Sequence, residues 1–285
     1  MNEIWVIARH TFRECTRRRI FVIVPVVSLG FLALFTLGTY YAFRSTFGTA
    51  EPPGDLVDAK ALTGASLMGL SMFTALFLGS ALGIFLTHAS IRGDAEQGIL
   101  QALVVRPVAR SGLLIGRFVG ASIVCSIYLA VLYAGTVVIT GAIGGWWPSP
   151  LLLPGLSLIA GVIVVIALTL LGSVFLPALP NGIVMFMIYG AGLLAGLLGQ
   201  LGELLRSPAL ETTGRVASWV FPFEALYQAG LDSLTSGATG LTRVIVQLGP
   251  LGGATQAGPE LIAWWLFYLG CVGAVAIASF RRKDL

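Results

Sequence analysis

From Ile91 to Phe118 the chain reads IRGDAEQGILQALVVRPVARSGLLIGRF, with four arginines (Arg92, Arg106, Arg110, Arg117) and two acids (Asp94, Glu96). On both sides lie more than twenty residues almost free of charge. Such an insert cannot sit in hydrocarbon, where each centrally placed arginine costs about 2.5–3.5 kcal/mol on insertion scales. It lies in water or at the interface and joins two membrane spans. This constrains the rest of the chain, because spans must alternate in direction around it.

The composition agrees. Of 285 residues, 56% are hydrophobic and 11% charged, and mean hydropathy is +0.91, whereas soluble domains carry about 25% charged residues. The formal charge of +4 reads as membrane-surface bias rather than nucleic-acid binding, because the basic residues border apolar runs. Cys15, Cys125 and Cys271 form no CxxC pair, and read as small apolar side chains rather than metal or redox groups.

The fold class expected is an all-α polytopic membrane protein. Its six transmembrane helices fall at about 20–43, 65–90, 112–142, 151–176, 183–201 and 261–280. The whole chain reads as one transmembrane domain. Before the first span, residues 2–19 place Ile4, Ala8, Phe12 and Cys15 on one helical face, and Arg9, Arg13 and Arg17 every four residues on another. Like charges at that spacing repel, and an anionic headgroup layer would offset them, which predicts a helix lying on the membrane. A solvated extension of the first span is the other reading.

Pro52, Pro53 and Gly54, with Glu51, Asp55 and Asp58, mark a polar loop. Gly79-x-x-x-Gly83 in the second span and Gly116-x-x-x-Gly120 in the third would let neighbouring helices approach closely. Gly192, Gly196 and Gly199 give the fifth span a small-residue face. The connection 202–259 is the longest polar one and reads as an outer loop. Within it, Trp219 to Leu234 contains Pro222 at a helix start, Glu224, and Leu226, Tyr227, Leu231 and Leu234 on a common face. Too short and polar to span, it reads as an amphipathic segment dipping into the outer leaflet.

Basic residues set the orientation. With the N-terminus inside, inner segments hold twelve (Arg9, Arg13, Arg17, Arg18, Arg19, Arg92, Arg106, Arg110, Arg117, Arg281, Arg282, Lys283) and outer loops five (Arg44, Lys60, Arg206, Arg215, Arg243). That excess predicts both termini in the cytoplasm.

Several chemistries are missing from the sequence. It contains no HExxH, and its two histidines, His10 and His88, do not follow the later serines. No Asp or Glu falls near the middle of an expected span, which argues against a proton relay or cation-coupled pump. No Gly-x-x-x-x-Gly-Lys-Ser/Thr phosphate loop is present. The chain therefore reads as a non-enzyme, binding no metal or cofactor, whose energy comes from another subunit.

In the polar insert, Ala95, Ile99, Leu100, Leu103 and Val104 recur at helical spacing, with Asp94 and Glu96 where the helix dipole favours acids. Pro107 disfavours helix at Arg106, and Ser111 can cap the following span. A helix, a corner carrying Arg106 and Arg110, and a return to the membrane result. Such a corner can transmit force; an ordinary interfacial turn fits these residues equally well.

The run Gly93 to Arg110, followed by Leu-Leu-Ile-Gly-Arg117-Phe, resembles the first cytoplasmic loop of ATP-binding-cassette type-2 transporter permeases. That family shows an acid, a glycine, a Leu-rich helix, a Pro-Val/Leu-x-Arg corner and a glycine-basic step. The nearest branch is similar to the nitrous-oxide-reductase maturation permease, although Ile99 stands where a small polar residue, often threonine, is usual. The resemblance covers essentially the whole chain. It implies a permease subunit, an exporter in direction, paired with a second permease copy or paralogue. Two cytoplasmic ATPase subunits would carry the ATP and Mg, with 91–111 as the coupling loop and Glu96, Gly98, Leu103, Arg106, Pro107 and Arg110 as docking residues. A non-transporting membrane scaffold that relays ATPase state to an outer partner is the alternative from another class.

Overall fold

A computed structural model describes residues 20–48, 59–90, 110–235 and 258–282. Eight helices are found among them: α1 (Ile20–Gly48), α2 (Ala59–Thr87), α3 (Arg110–Gly144), α4 (Leu153–Phe175), α5 (Ala178–Leu205), α6 (Pro208–Val220), α7 (Pro222–Thr235) and α8 (Pro259–Arg282). Six of them, α1 to α5 and α8, are long and apolar enough to cross a membrane. The all-α, six-span architecture expected from the sequence is present.

Helix ends and apolar run ends differ. Against 65–90, α2 begins at Ala59; against 183–201, α5 runs from Ala178 to Leu205. Hydropathy locates hydrocarbon, whereas a helix continues into water for as long as its backbone hydrogen bonds are kept. At 1.5 Å per residue the 35 residues of α3 reach roughly 52 Å, well beyond a hydrocarbon core of about 30 Å.

Two helices sit at the centre. The spanning windows of α2 and α4 are each 61% buried, against 22% for α1 and α5 and 11% for α8. Met68, Met72, Leu76, Leu82 and Ile84 of α2 meet Leu129 of α3 and Leu158, Val162 and Ile166 of α4 in the principal core, all fully buried or nearly so. Away from the helix ends, the exposed side chains of α1, α5 and α8 are apolar, as a helix in hydrocarbon requires.

The Gly79-x-x-x-Gly83 stripe of α2 is where the centre closes. A Cβ at Gly79 would meet Leu129, and one at Gly83 would meet Ile166. Helices in lipid gain little from hydrophobic association, so close packing of this kind carries their contact energy. Several hydroxyls within the spans turn back on their own helices: Thr87 donates to the Gly83 carbonyl at 2.7 Å, Thr169 to Val165 at 2.7 Å and Ser173 to Leu170 at 2.7 Å. That satisfies polar groups for which hydrocarbon offers no partner.

Candidate functional site

Two regions bear on function. One is the frame around the polar insert. The described chain stops at Ser90 after α2 and resumes at Arg110, the first residue of α3. Glu96, Gly98, Leu103, Arg106 and Pro107 lie outside the described residues, as do Arg9, Arg13 and Arg17 of the expected surface helix. The flanks of the insert are defined by Asn181, in the first turns of α5. Fully buried, it donates its amide to the His88 carbonyl at 2.9 Å and to the Thr169 carbonyl at 3.1 Å. His88 in turn holds Nδ1 against the Ile84 and Phe85 carbonyls. One side chain thus ties the α4–α5 turn to the segment that leads from α2 into the insert. The sequence reads Asn181 as a turn residue; its neighbours are all uncharged, and nothing local marks it as a strut.

The second region is the connection expected at 202–259. It turns back into the bundle. After the corner at Arg206, with φ of 51°, α6 runs antiparallel along α5. Gly214 meets the backbone of Gly199, Gly202 meets Leu210 and Glu211, and Phe221 reaches Gly192. The glycine face of α5 is therefore filled by α6 and by the residues that follow it. The chain breaks at Phe221, whose N–H bonds to the Ala217 carbonyl at 2.7 Å and whose carbonyl accepts from Glu224 at 3.0 Å. Pro222 then opens α7 at a position where its missing N–H leaves no gap.

From that tip α7 rises beside α4. The Phe223 carbonyl lies against Gly161, and Gly230 lies against Ser157 and the Pro154 carbonyl. Gly161 is eight residues inside α4, roughly 12 Å from its start. The hairpin α6–α7 is thus re-entrant, with Phe221, Pro222, Phe223 and Glu224 at its innermost point. The expected amphipathic face of Leu226, Tyr227, Leu231 and Leu234 is buried, but so are Ala225, Gln228 and Ala229 on the other sides. Protein rather than lipid covers α7, and irregular backbone at such depth is tolerated only inside protein.

Glu224 is 4% exposed and touches Gly196 of α5. Gln228 donates to its Oε1 at 2.7 Å. Burial is the main influence on the acid and raises it from the usual carboxylate range to about 7; the Gln228 bond opposes that shift. Beside it, the buried Tyr227 hydroxyl has no hydrogen-bond partner among the described residues, while the hydroxyls of Tyr189 on α5 and Ser80 on α2 face one another. Burial, with Tyr189 and Glu224 close by, raises the Tyr227 phenol above its ordinary range. The ring of Tyr189 stacks on Phe223 at 5.6 Å, and that of Tyr227 meets Phe73 edge-on at 6.4 Å.

At the outer side of α6, Trp219 is half exposed. It meets Trp264 of α8 edge-on at 5.1 Å, and its carbonyl accepts the Trp264 indole N–H at 3.0 Å. Of the residues expected on the outer segment, the structure brings Pro222, Glu224 and Tyr227 together in the bundle and leaves Trp219 at its edge. No group of three or more metal-ligating side chains occurs among the described residues.

The family model described as ABC-2 family transporter protein matches residues 5–285. No curated protein matches the chain.

Proposed function

The chain belongs to the ABC-2 transporter family, and from that membership we propose that it is the permease subunit of an exporter driven by a separate cytoplasmic ATPase. It is a multi-pass protein of the plasma membrane and a transport component rather than an enzyme. The observation that carries the proposal is the family match over residues 5–285 in a chain with six helices of membrane-spanning length. The lack of a phosphate-loop motif supports a separate source of ATP and Mg.

In this reading both termini are cytoplasmic, and the hairpin α6–α7 enters from the outer side. The insert 91–111 docks on the ATPase through Glu96, Gly98, Leu103, Arg106, Pro107 and Arg110, with the 2–19 helix on the membrane beside it. ATP-driven closure of the ATPases would press on the insert, and its two ends lead into α2 and α3. Asn181 would carry the same push into the α4–α5 turn. A bistable bundle biased in this way alternates between two arrangements. Apolar outward faces on α1, α5 and α8 suit lipid and a second copy or paralogue. On the loop motif alone we assign the branch similar to the nitrous-oxide-reductase maturation permease. Cargo of lipid-like or amphipathic character fits spans without a central charge.

Co-purification with the ABC ATPase encoded beside it tests the reading, with Arg106→Glu as the contrast. The wild type retains the ATPase, and the mutant loses binding or the coupling of hydrolysis to transport. If no ATPase is retained in lipid discs, the proposal fails. If the ATPase and an outer partner protein are both retained and nothing is transported, the scaffold reading replaces it.

A further inference from the structure

Glu224 has no role in the mechanism above, yet its position needs a reason. A carboxylate at the tip of a re-entrant hairpin, packed against interior turns of α4 and α5, is unfavourable unless it is paired or neutral. Among the described residues no cation pairs with it; its side-chain hydrogen bond is to Gln228. The elements around it explain why. Helix α4 contains no titratable residue. Helix α2 has Lys60 alone, in its first turn beside Gly145, far from the tip. Helix α5 brings Tyr189 and, in its last turn, Glu203; α6 has Glu211 and an exposed Arg215; α8 has Glu260, Tyr268, Cys271 and its terminal arginines. On α7 itself stand Tyr227 and Asp232. The groups shown beside the acid are the Gln228 amide and the Tyr227 phenol.

Space is equally restrictive. The carboxyl lies against Gly196 so closely that a methyl group there would collide with it. On the Gly196 side no ligand fits while the tip is seated, but a proton needs no room.

We propose that Glu224 is a proton-binding site that latches the α6–α7 hairpin. The neutral acid keeps the tip seated against Gly196 and Gly161, and loss of the proton to water releases the hairpin towards the outer side. Burial supports this, since it holds Glu224 protonated up to about pH 7, against 4.5 for the unperturbed group. The sign follows. The seated state binds a proton that the released, hydrated acid gives up, so raising the pH from 4.5 to 7 shifts the balance towards release. Above that range both forms are ionised and the shift is complete. The Tyr227 hydroxyl beside the acid is buried without a partner among the described residues, so water entering on release would meet a polar group there. The inference rests on the fold and does not depend on the ATPase.

The test uses purified protein in lipid nanodiscs without any ATPase. Cys15, Cys125 and Cys271 are replaced by serine, and Ser233→Cys reports from the last turn of α7, where Ser233 is buried. Its reaction with a charged methanethiosulfonate is timed from pH 5.5 to 8.5, in the otherwise unchanged protein and with Glu224→Gln. Dividing one rate by the other at each pH cancels thiol ionisation. The ratio is expected to rise about tenfold or more from pH 5.5 to pH 8.5, since glutamine imitates the neutral acid at every pH. A ratio that stays flat overturns the proposal. Should the glutamine variant fail to fold, rates corrected with a free thiol titrated alongside decide instead, and a flat corrected profile overturns it. Failure here leaves the permease reading intact, because no ATPase enters the assay.

Discussion

Asn181 donates its side-chain amide to the backbone carbonyl of His88 across 2.9 Å, joining the first turns of α5 to the end of α2. The same amide reaches Thr169 of α4, so three helices meet at one side chain. Its Oδ1 is buried without a hydrogen-bond partner among the described residues and rests against Gly172.

Replacing Asn181 by alanine leaves two buried carbonyls without that donor. A loss of about 1–3 kcal/mol is expected, read as a lower thermal midpoint in detergent. Asn181→Asp costs more, because it buries a charge beside two carbonyl acceptors. If Asn181 also carries the push from the insert, the alanine variant hydrolyses ATP with its partner ATPase but transports poorly. Unchanged stability would show that the two bonds contribute nothing.

Two glycine substitutions differ in outcome for a geometric reason. At Gly214 a new methyl group meets the backbone of Gly199, which cannot rotate away; at Gly79 it meets the end of the Leu129 side chain, which can. Gly214→Ala therefore costs about 1–3 kcal/mol and Gly79→Ala less. Midpoints for both variants, measured side by side, check the order.

Stability follows pH through Glu224. Its seated form is raised to about 7 by burial, so stability from this group is full below about pH 4.5 and falls as pH rises to about 7. The change amounts to at most about 3 kcal/mol. The wild type is expected to be less stable at pH 8 than at pH 5.5, relative to Glu224→Gln. Parallel pH profiles for the two proteins would contradict this.

The Trp264 indole holds α8 to α6 through the Trp219 carbonyl. Trp264→Phe keeps an aromatic ring beside Trp219 but removes the N–H, at a cost of about 0.5–1.5 kcal/mol. Faster hydrogen exchange in the last turn of α6 is the measurement that checks it, while α2 and α4 remain unchanged.

The sequence places Glu224 on an outer amphipathic segment and gives Asn181 and Tyr189 no role, and what it misses in all three has one cause. Glu224 stands in a stretch whose composition is that of a loop, and the rule that functional acids lie inside spans passes over it. Only the antiparallel return of α6 along Gly192, Gly196 and Gly199 carries it inwards. Those glycines are legible in the sequence as a small-residue face; that they receive Phe223 and Glu224 from a later segment is a fact of packing. Asn181 and Tyr189 are hidden for the same reason, since each acts on a partner far away in the chain. The docking residues from Glu96 to Pro107 stand in the opposite position: they are conspicuous in sequence and lie outside the described residues.

What the amino-acid order determined by itself is the set of spans and the helical class. Each apolar run must satisfy its own backbone hydrogen bonds in hydrocarbon, and a helix does so without reference to any neighbour. Which helices occupy the centre was decided only in three dimensions. In lipid an apolar face gains little by meeting another apolar face, so α2 and α4 are selected by the fit of Leu129 and Ile166 over Gly79 and Gly83. The same holds for the hairpin. Composition allowed it to lie on the surface, and close contact with the glycine face of α5 drew it into the bundle.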